Sequence, residues 1–167
     1  MSSPTRRDIG EIDKIEMKHI EWRIPNIFAD AEDPNGYLYV SPNFFTGDAA
    51  WHLRLLRSGR RKNTTIEIAI VTEKNAMREY SMKYIFGLKK SDDTVDELCF
   101  GILDGDKDWS SWEDLIQQSK LLRQKNLWAP SDILTVTCTL KWKPEISHLK
   151  EPTVLDVTKS MKLTSKL

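Results

Sequence analysis

Three aspartates, Asp104, Asp106 and Asp108, fall within the segment DGDKDW at residues 104 to 109. Carboxylates this close together support two kinds of chemistry. Two of them could pair as the acid and nucleophile of a glycosidase on a jelly-roll sandwich, or their oxygens could gather a calcium ion. The plainer alternative, which the lysine and glycine between them favour, is a solvated acidic turn ahead of a helix N-terminus. Other catalytic material is sparse. The only histidines are His19, His52 and His148: the first two alternate with strand residues, and the third lies in a polar tail, so all three read as surface groups. Cys99 and Cys138 stand apart in apolar, strand-like contexts, and there is no ExxH or HxxxH pair to complete a zinc or di-iron site. No glycine-rich phosphate loop, GxSxG elbow or RNP-type aromatic strand is present. Neither an enzymatic activity nor a metal or other cofactor is expected.

The same segment runs on as DGDKDWSSWEDLI, which sets Trp109 and Trp112 beside the acidic turn. A tryptophan in front of a helix usually packs its ring inside, where it buries a large apolar area. An outward ring flanked by Lys107 and Asp108 would instead suit an extended peptide, with indole covering apolar carbons and charged rim groups meeting hydroxyls. The residues alone favour the core role over the contact for Trp109.

The elements that must position these residues show in the hydrophobic pattern. Ile20, Trp22 and Ile24 alternate with His19, Glu21 and Arg23, the period of two that buries one face of a strand. The pattern returns in AWHLRLL (Trp51, Leu53, Leu55), TTIEIAIV (Ile66, Ile68, Ile70), YSMKYIFGL (Met82, Tyr84, Phe86), LCFGIL and ILTVTCTLKW (Leu134, Val136, Cys138, Leu140). YLYVSPNFF is also extended, with Pro42 suited to an edge or a bulge. Trp22, Trp51 and Trp142 are assigned to the core, while Phe44 and Trp128 are left unassigned. One helix is expected over residues 111 to 123, where Trp112, Leu115, Ile116 and Leu122 recur at helical spacing and Ser110 with Glu113 has the capping-box pattern. Many short strands with a single helix point to an antiparallel β-sandwich.

Length suits one domain: 167 residues can bury a core, with residues 1 to 16 as a loose arm and residues 143 to 167 as a linker with helical potential over 153 to 163. Lys plus Arg and Asp plus Glu balance at 25 each, so no overall field draws the chain to nucleic acid or to an anionic membrane. The N-terminus lacks the apolar core of a signal peptide, and no apolar run reaches the roughly 18 residues of a spanning helix. An intracellular, reduced and soluble protein is expected, with no small-molecule substrate.

Taken in order and spacing, IEWRIPNI, YLYVSPNFF, WHLRLL, DKDWSSWEDLI and LWAPSDILTVTCTL resemble the MATH, or TRAF-like, domain. The likeness is strongest to the speckle-type POZ and TD-and-POZ family in its divergent, arthropod-like branch. Pro130, Asp132, Leu134 and Thr135 match that family's approach to its last strand. The resemblance covers residues 17 to 142 and implies an all-β, antiparallel TRAF-like sandwich with one short helix, followed by a linker that in the family leads to a BTB/POZ domain. It also implies a non-enzymatic module that holds short, extended, Ser/Thr-rich motifs of substrate proteins in a shallow groove. Such modules serve as substrate adaptors of cullin-based ubiquitin ligases, in nucleus or cytoplasm. A cullin partner is implied only where a BTB/POZ domain follows, and a chain ending at Leu167 is expected to bind substrates without docking one. The family's Lys-Asp-Trp-Gly-Phe segment carries over to Lys107, Asp108 and Trp109, with Ser110 in place of glycine and Ser111 or, allowing one extra loop residue, Trp112 in place of phenylalanine. Its aromatic before the loop corresponds to Phe100, and two further groove aromatics fall on Glu67 and Met82, which depart from the family. Glu67 is expected either to be an ordinary solvent-facing strand residue or, as an anionic group in the groove, to repel acidic or phosphorylated peptides and attract basic ones. Met82 is expected either to soften the apolar pocket or to fill the edge of the core. A TRAF-type receptor or scaffold domain is the nearest rival, though no coiled-coil heptads precede residue 17. A carbohydrate-active jelly roll is the other.

Overall fold

The computed structural model describes residues 15–29, 36–47, 49–57, 65–72, 81–103, 110–143 and 153–163. Each alternating segment becomes a strand: β1 (Glu16–Ile24), β2 (Tyr37–Val40), β3 (Phe44–Thr46), β4 (Ala49–Arg57), β5 (Thr65–Thr72), β6 (Met82–Lys89), β7 (Val95–Leu103) and β9 (Leu134–Trp142). Between β7 and β9 lie β8 (Glu113–Gln117), the short helices α1 (Gln118–Arg123) and α2 (Lys125–Trp128), and a 3-10 turn at Pro130–Asp132. Two more strands follow β9, namely β10 (Thr153–Leu155) and β11 (Lys159–Lys162). The result is an all-β sandwich. One sheet has the order β10-β1-β9-β6-β7, and the other has the order β11-β2-β4-β5-β8, with β3 also paired to β4. Among the described residues every pairing is antiparallel except that of β10 with β1. Pro42 falls in the break between β2 and β3, where its missing N–H removes no ladder bond.

Period-two alternation gives the core directly. Ile20, Trp22, Ile24, Trp51, Leu53, Leu55, Ile66, Ile68, Ile70, Phe86, Leu134, Val136, Cys138 and Leu140 are all buried between the sheets, and Phe44 and Trp128 join them. A buried indole needs a partner for its N–H. Trp51 Nε1 donates to Thr46 Oγ1 at 2.7 Å, Trp128 Nε1 to Gln124 Oε1 at 3.0 Å, and Trp22 Nε1 to Thr158 Oγ1 at 3.0 Å.

Two expectations are corrected here. Residues 113 to 117 form a strand instead of the first turns of a helix, because pairing with β5 satisfies their backbone; the helix begins only at Gln118. The expected linker is, in its described part, woven into both sheets. β10 runs parallel to β1 through Ile20 to Trp22, and β11 pairs with β2, so residues 153 to 163 are neither helical nor outside the sandwich. The Trp22 to Thr158 bond and the Arg23–Asp156 ion pair at 3.0 Å tie this stretch to β1.

Candidate functional site

Among the described residues each sheet ends on one side of the sandwich in an edge strand, β7 in one and β8 in the other, and side chains stitch the two edges together. Cys99 Sγ on β7 donates to the Asp114 carbonyl on β8 at 2.9 Å, and the Tyr84 hydroxyl on β6 donates to Glu113 Oε1 at 3.1 Å. Tyr84 reaches across because its β7 partner is Gly101: a Cβ added there would collide with the far end of the Tyr84 ring. Glycine in a strand often marks such a close approach.

Negative charge collects along β8. Glu67 on β5 stands directly opposite Asp114, and both desolvation and the Asp114 carboxylate raise its pKa above the ordinary glutamate value. Burial first, and then the Glu113 carboxylate, push the Tyr84 phenol up to about 12. Burial, helped by Glu113 and Asp114, pushes the Cys99 thiol up to about 11. Burial alone raises the Cys138 thiol. Neither thiol is poised as a nucleophile, since the thiolate is the reactive form. Among the described residues no group of three His, Cys, Asp or Glu side chains could hold a metal ion. His19 Nδ1 lies 2.9 Å from Thr139 Oγ1, and His52 Nε2 accepts from Arg54 Nε at 3.0 Å.

The nine residues singled out in the sequence occupy distinct surroundings. Lys107, Asp108 and Trp109 lie outside the described residues, as do Asp104 and Asp106. Ser110 is buried and committed to the fold: its N–H donates to the Ile70 carbonyl at 2.9 Å and its Oγ accepts from the Ile70 N–H at 3.0 Å, so it acts as one more rung between β5 and the start of β8. It is neither a helix cap nor a free hydroxyl for a ligand. Ser111 is exposed and Trp112 half-buried immediately before β8, and Glu67 is half-buried on β5. Phe100 is 65% exposed on the outer face of β7, whereas Met82 is 0% exposed on the inner face of β6. These two cannot line one groove. Met82 is a core residue, the role its alternation with Tyr84 and Phe86 already suggested.

Strand register thus sets Glu67 opposite Asp114 on β8, with Ser111 and Trp112 immediately before that strand in the chain, while Phe100 belongs to the outer face of the opposite sheet. Sequence reasoning missed the contribution of Tyr84, Glu113 and Asp114. The available signal was Gly101, an isolated glycine in a strand otherwise made of side chains able to pack. No family model matches the chain, and no curated protein matches it. No helix among the described residues is long and apolar enough to cross a membrane.

Proposed function

We propose that this chain is a non-enzymatic peptide-recognition domain of the MATH, or TRAF-like, type, which holds a short extended Ser/Thr-rich segment of a substrate protein along β8. The observation that carries this is the state of β8 itself. It is a five-residue edge strand that pairs with β5 and with no other strand among the described residues. Apart from the Asp114 carbonyl, which already accepts from Cys99 Sγ, one edge of its backbone can therefore accept an added strand, a common way for a sheet to bind a peptide. Ser111 and Trp112 lead directly into it from the segment that resembles the family's Lys-Asp-Trp contact. By the same resemblance, the bound protein is a substrate delivered to a cullin-based ubiquitin ligase when a BTB/POZ domain is attached.

The paired carboxylates of Glu67 and Asp114 favour a variant of the family's ligand. A Ser/Thr-rich peptide carrying Lys or Arg is attracted to this strip, and a phosphorylated one is repelled. Calorimetric titration of a Ser/Thr-rich peptide with one central Arg, against the same peptide carrying Glu or phosphoserine there, tests this. The Arg peptide binds most tightly in this account, and Glu67→Lys reverses the order. Equal affinity for all three would remove Glu67 from the site, and no binding of any would sink the proposal.

A further inference from the structure

The outer face of the β7 sheet carries a groove of about 950 Å³ that shares with the site along β8 only Tyr84 and Gly101. Strand register orders its lining in two cross-strand rows. In the first, Phe100 on β7 lies opposite Ile85 on β6. In the second, Ile102 on β7 lies opposite Lys83 on β6, which in turn lies opposite Lys141 on β9. Phe100 and Ile102 are 65% and 59% exposed, a large apolar surface to leave in water. Lys143 adds a third cation to the rim, and no acidic side chain lines the groove among the described residues.

Two features of this face are unfavourable as they stand. Like charges directly opposite each other in a sheet repel, and Lys83 and Lys141 are so placed. Neither they nor Lys143 takes part in an ion pair among the described residues. Beside them, β7 is, among the described residues, an edge strand with four exposed apolar residues, Val95, Leu98, Phe100 and Ile102, and no lysine or proline; its own charges, Asp96, paired with Lys90, and Glu97, sit at its start, away from the Phe100 and Ile102 rows. An anionic, extended, partly apolar partner relieves both.

We infer that this face is a second docking surface, for an acidic, apolar peptide segment of a partner protein that adds to the edge of β7. Register then dictates the pattern. Side chains two apart on the added strand fall on the outer face about 6.8 Å from one another. An apolar side chain meets the Phe100–Ile85 row, and a Glu or Asp two residues away meets Ile102 and reaches Lys83. The groove crosses β9, β6 and the edge strand β7 and is shallowly exposed rather than enclosed, which suits a peptide better than a fatty acid, whose chain needs enclosure. The proposal uses a different edge strand from the site along β8; Tyr84, which lines this groove and bonds Glu113, is the link between them.

Fluorescence polarisation with the full chain tests it, using a labelled peptide of about nine residues built from Leu-Thr-Glu-Thr repeats and a control with Lys in place of Glu. The acidic peptide is expected to bind, to weaken as salt is raised, and to lose at least tenfold in affinity in Lys83→Glu/Lys141→Glu and in Phe100→Ser. Both variants change exposed or rim side chains, and unchanged melting curves establish that they fold. Amide shifts in the unmutated protein are expected on β6 and β7 and not on β8. Equal binding of the Lys peptide, unchanged affinity in both variants, or shifts confined to β8 would overturn the proposal. So would self-association of the unmutated chain that Phe100→Ser abolishes, which would make a second copy the occupant.

Discussion

Ser110→Ala separates a structural serine from a ligand-binding one. The hydroxyl is the acceptor for the Ile70 N–H at 3.0 Å, in a place where Ile70 itself is fully buried. Alanine keeps the Ser110 N–H bond to the Ile70 carbonyl but leaves the Ile70 N–H without a partner and out of reach of water. A buried donor stranded in this way costs about 1–3 kcal/mol. For a chain of this size 1 kcal/mol moves the Tm by about 2–4 °C, so a loss of about 2 kcal/mol lowers it by about 4–8 °C. Differential scanning calorimetry reads this directly. Ser111→Ala is the control: its hydroxyl is exposed and lies at the long distance of 3.5 Å from Glu113 Oε1, so its Tm should move by less than about 2 °C. A Ser110→Ala protein that melts with the unmutated one, yet fails to bind peptide, would refute the assignment and return this hydroxyl to the ligand.

Three further outcomes follow from the same edge. Gly101→Ala forces the Tyr84 ring off its position over β7, and it should destabilise by about 1–3 kcal/mol in chemical denaturation, whereas in a Tyr84→Ala background, already destabilised by loss of the buried ring, the same change should cost little more, the signature of a coupled pair. Cys99 and Cys138 are both buried, with pKa values raised by burial, so iodoacetamide at pH 8 should label neither in the folded protein and both in denaturant. Glu67 has its pKa raised in the folded state, so the fold holds its proton more tightly than the unfolded chain does, and this residue makes stability fall as pH rises from its ordinary value of 4.5 through its folded value. Glu67→Gln should therefore gain Tm relative to the unmutated chain at pH 7 and lose that advantage near pH 4; the gain stays below about 1 kcal/mol because solvent screens the pair.

Where the strands pair in regular register with one face buried, the sequence was a sufficient guide. Trp22, Trp51 and the Ile66 to Ile70 series could be assigned to the core from alternation alone, since a sheet with one wet face leaves no other option. β8 misled for a definite reason. A register shift between Ile66 and Glu67 sets Ile116 and Asp114 opposite consecutive residues of β5, and Leu115 becomes the extra residue of a bulge. Leu115 and Ile116 are then both buried, and two adjacent inward side chains imitate a helical period. The C-terminal strands were illegible for a different reason. β11 is exposed at every position and β10 buries only Leu155, so backbone pairing with distant β2 and β1 holds them and no hydrophobic pattern announces them. Site residues were legible only as far as type and position along the chain went. That Phe100 and Met82 face opposite ways follows from their parity in a pleated pair, which gapless matching of single residues does not carry.

Backbone amide mapping tests the central claim most directly. A Ser/Thr-rich peptide with one Arg is titrated into isotope-labelled protein while the shifts of β8, its partner β5 and the outer face of β7 are followed together. Recognition along β8 predicts saturable changes at Ser111 through Gln117 and around Glu67, with Phe100 and Ile102 unmoved. Changes centred on Phe100 and Ile102 instead, or none at millimolar peptide, would contradict it.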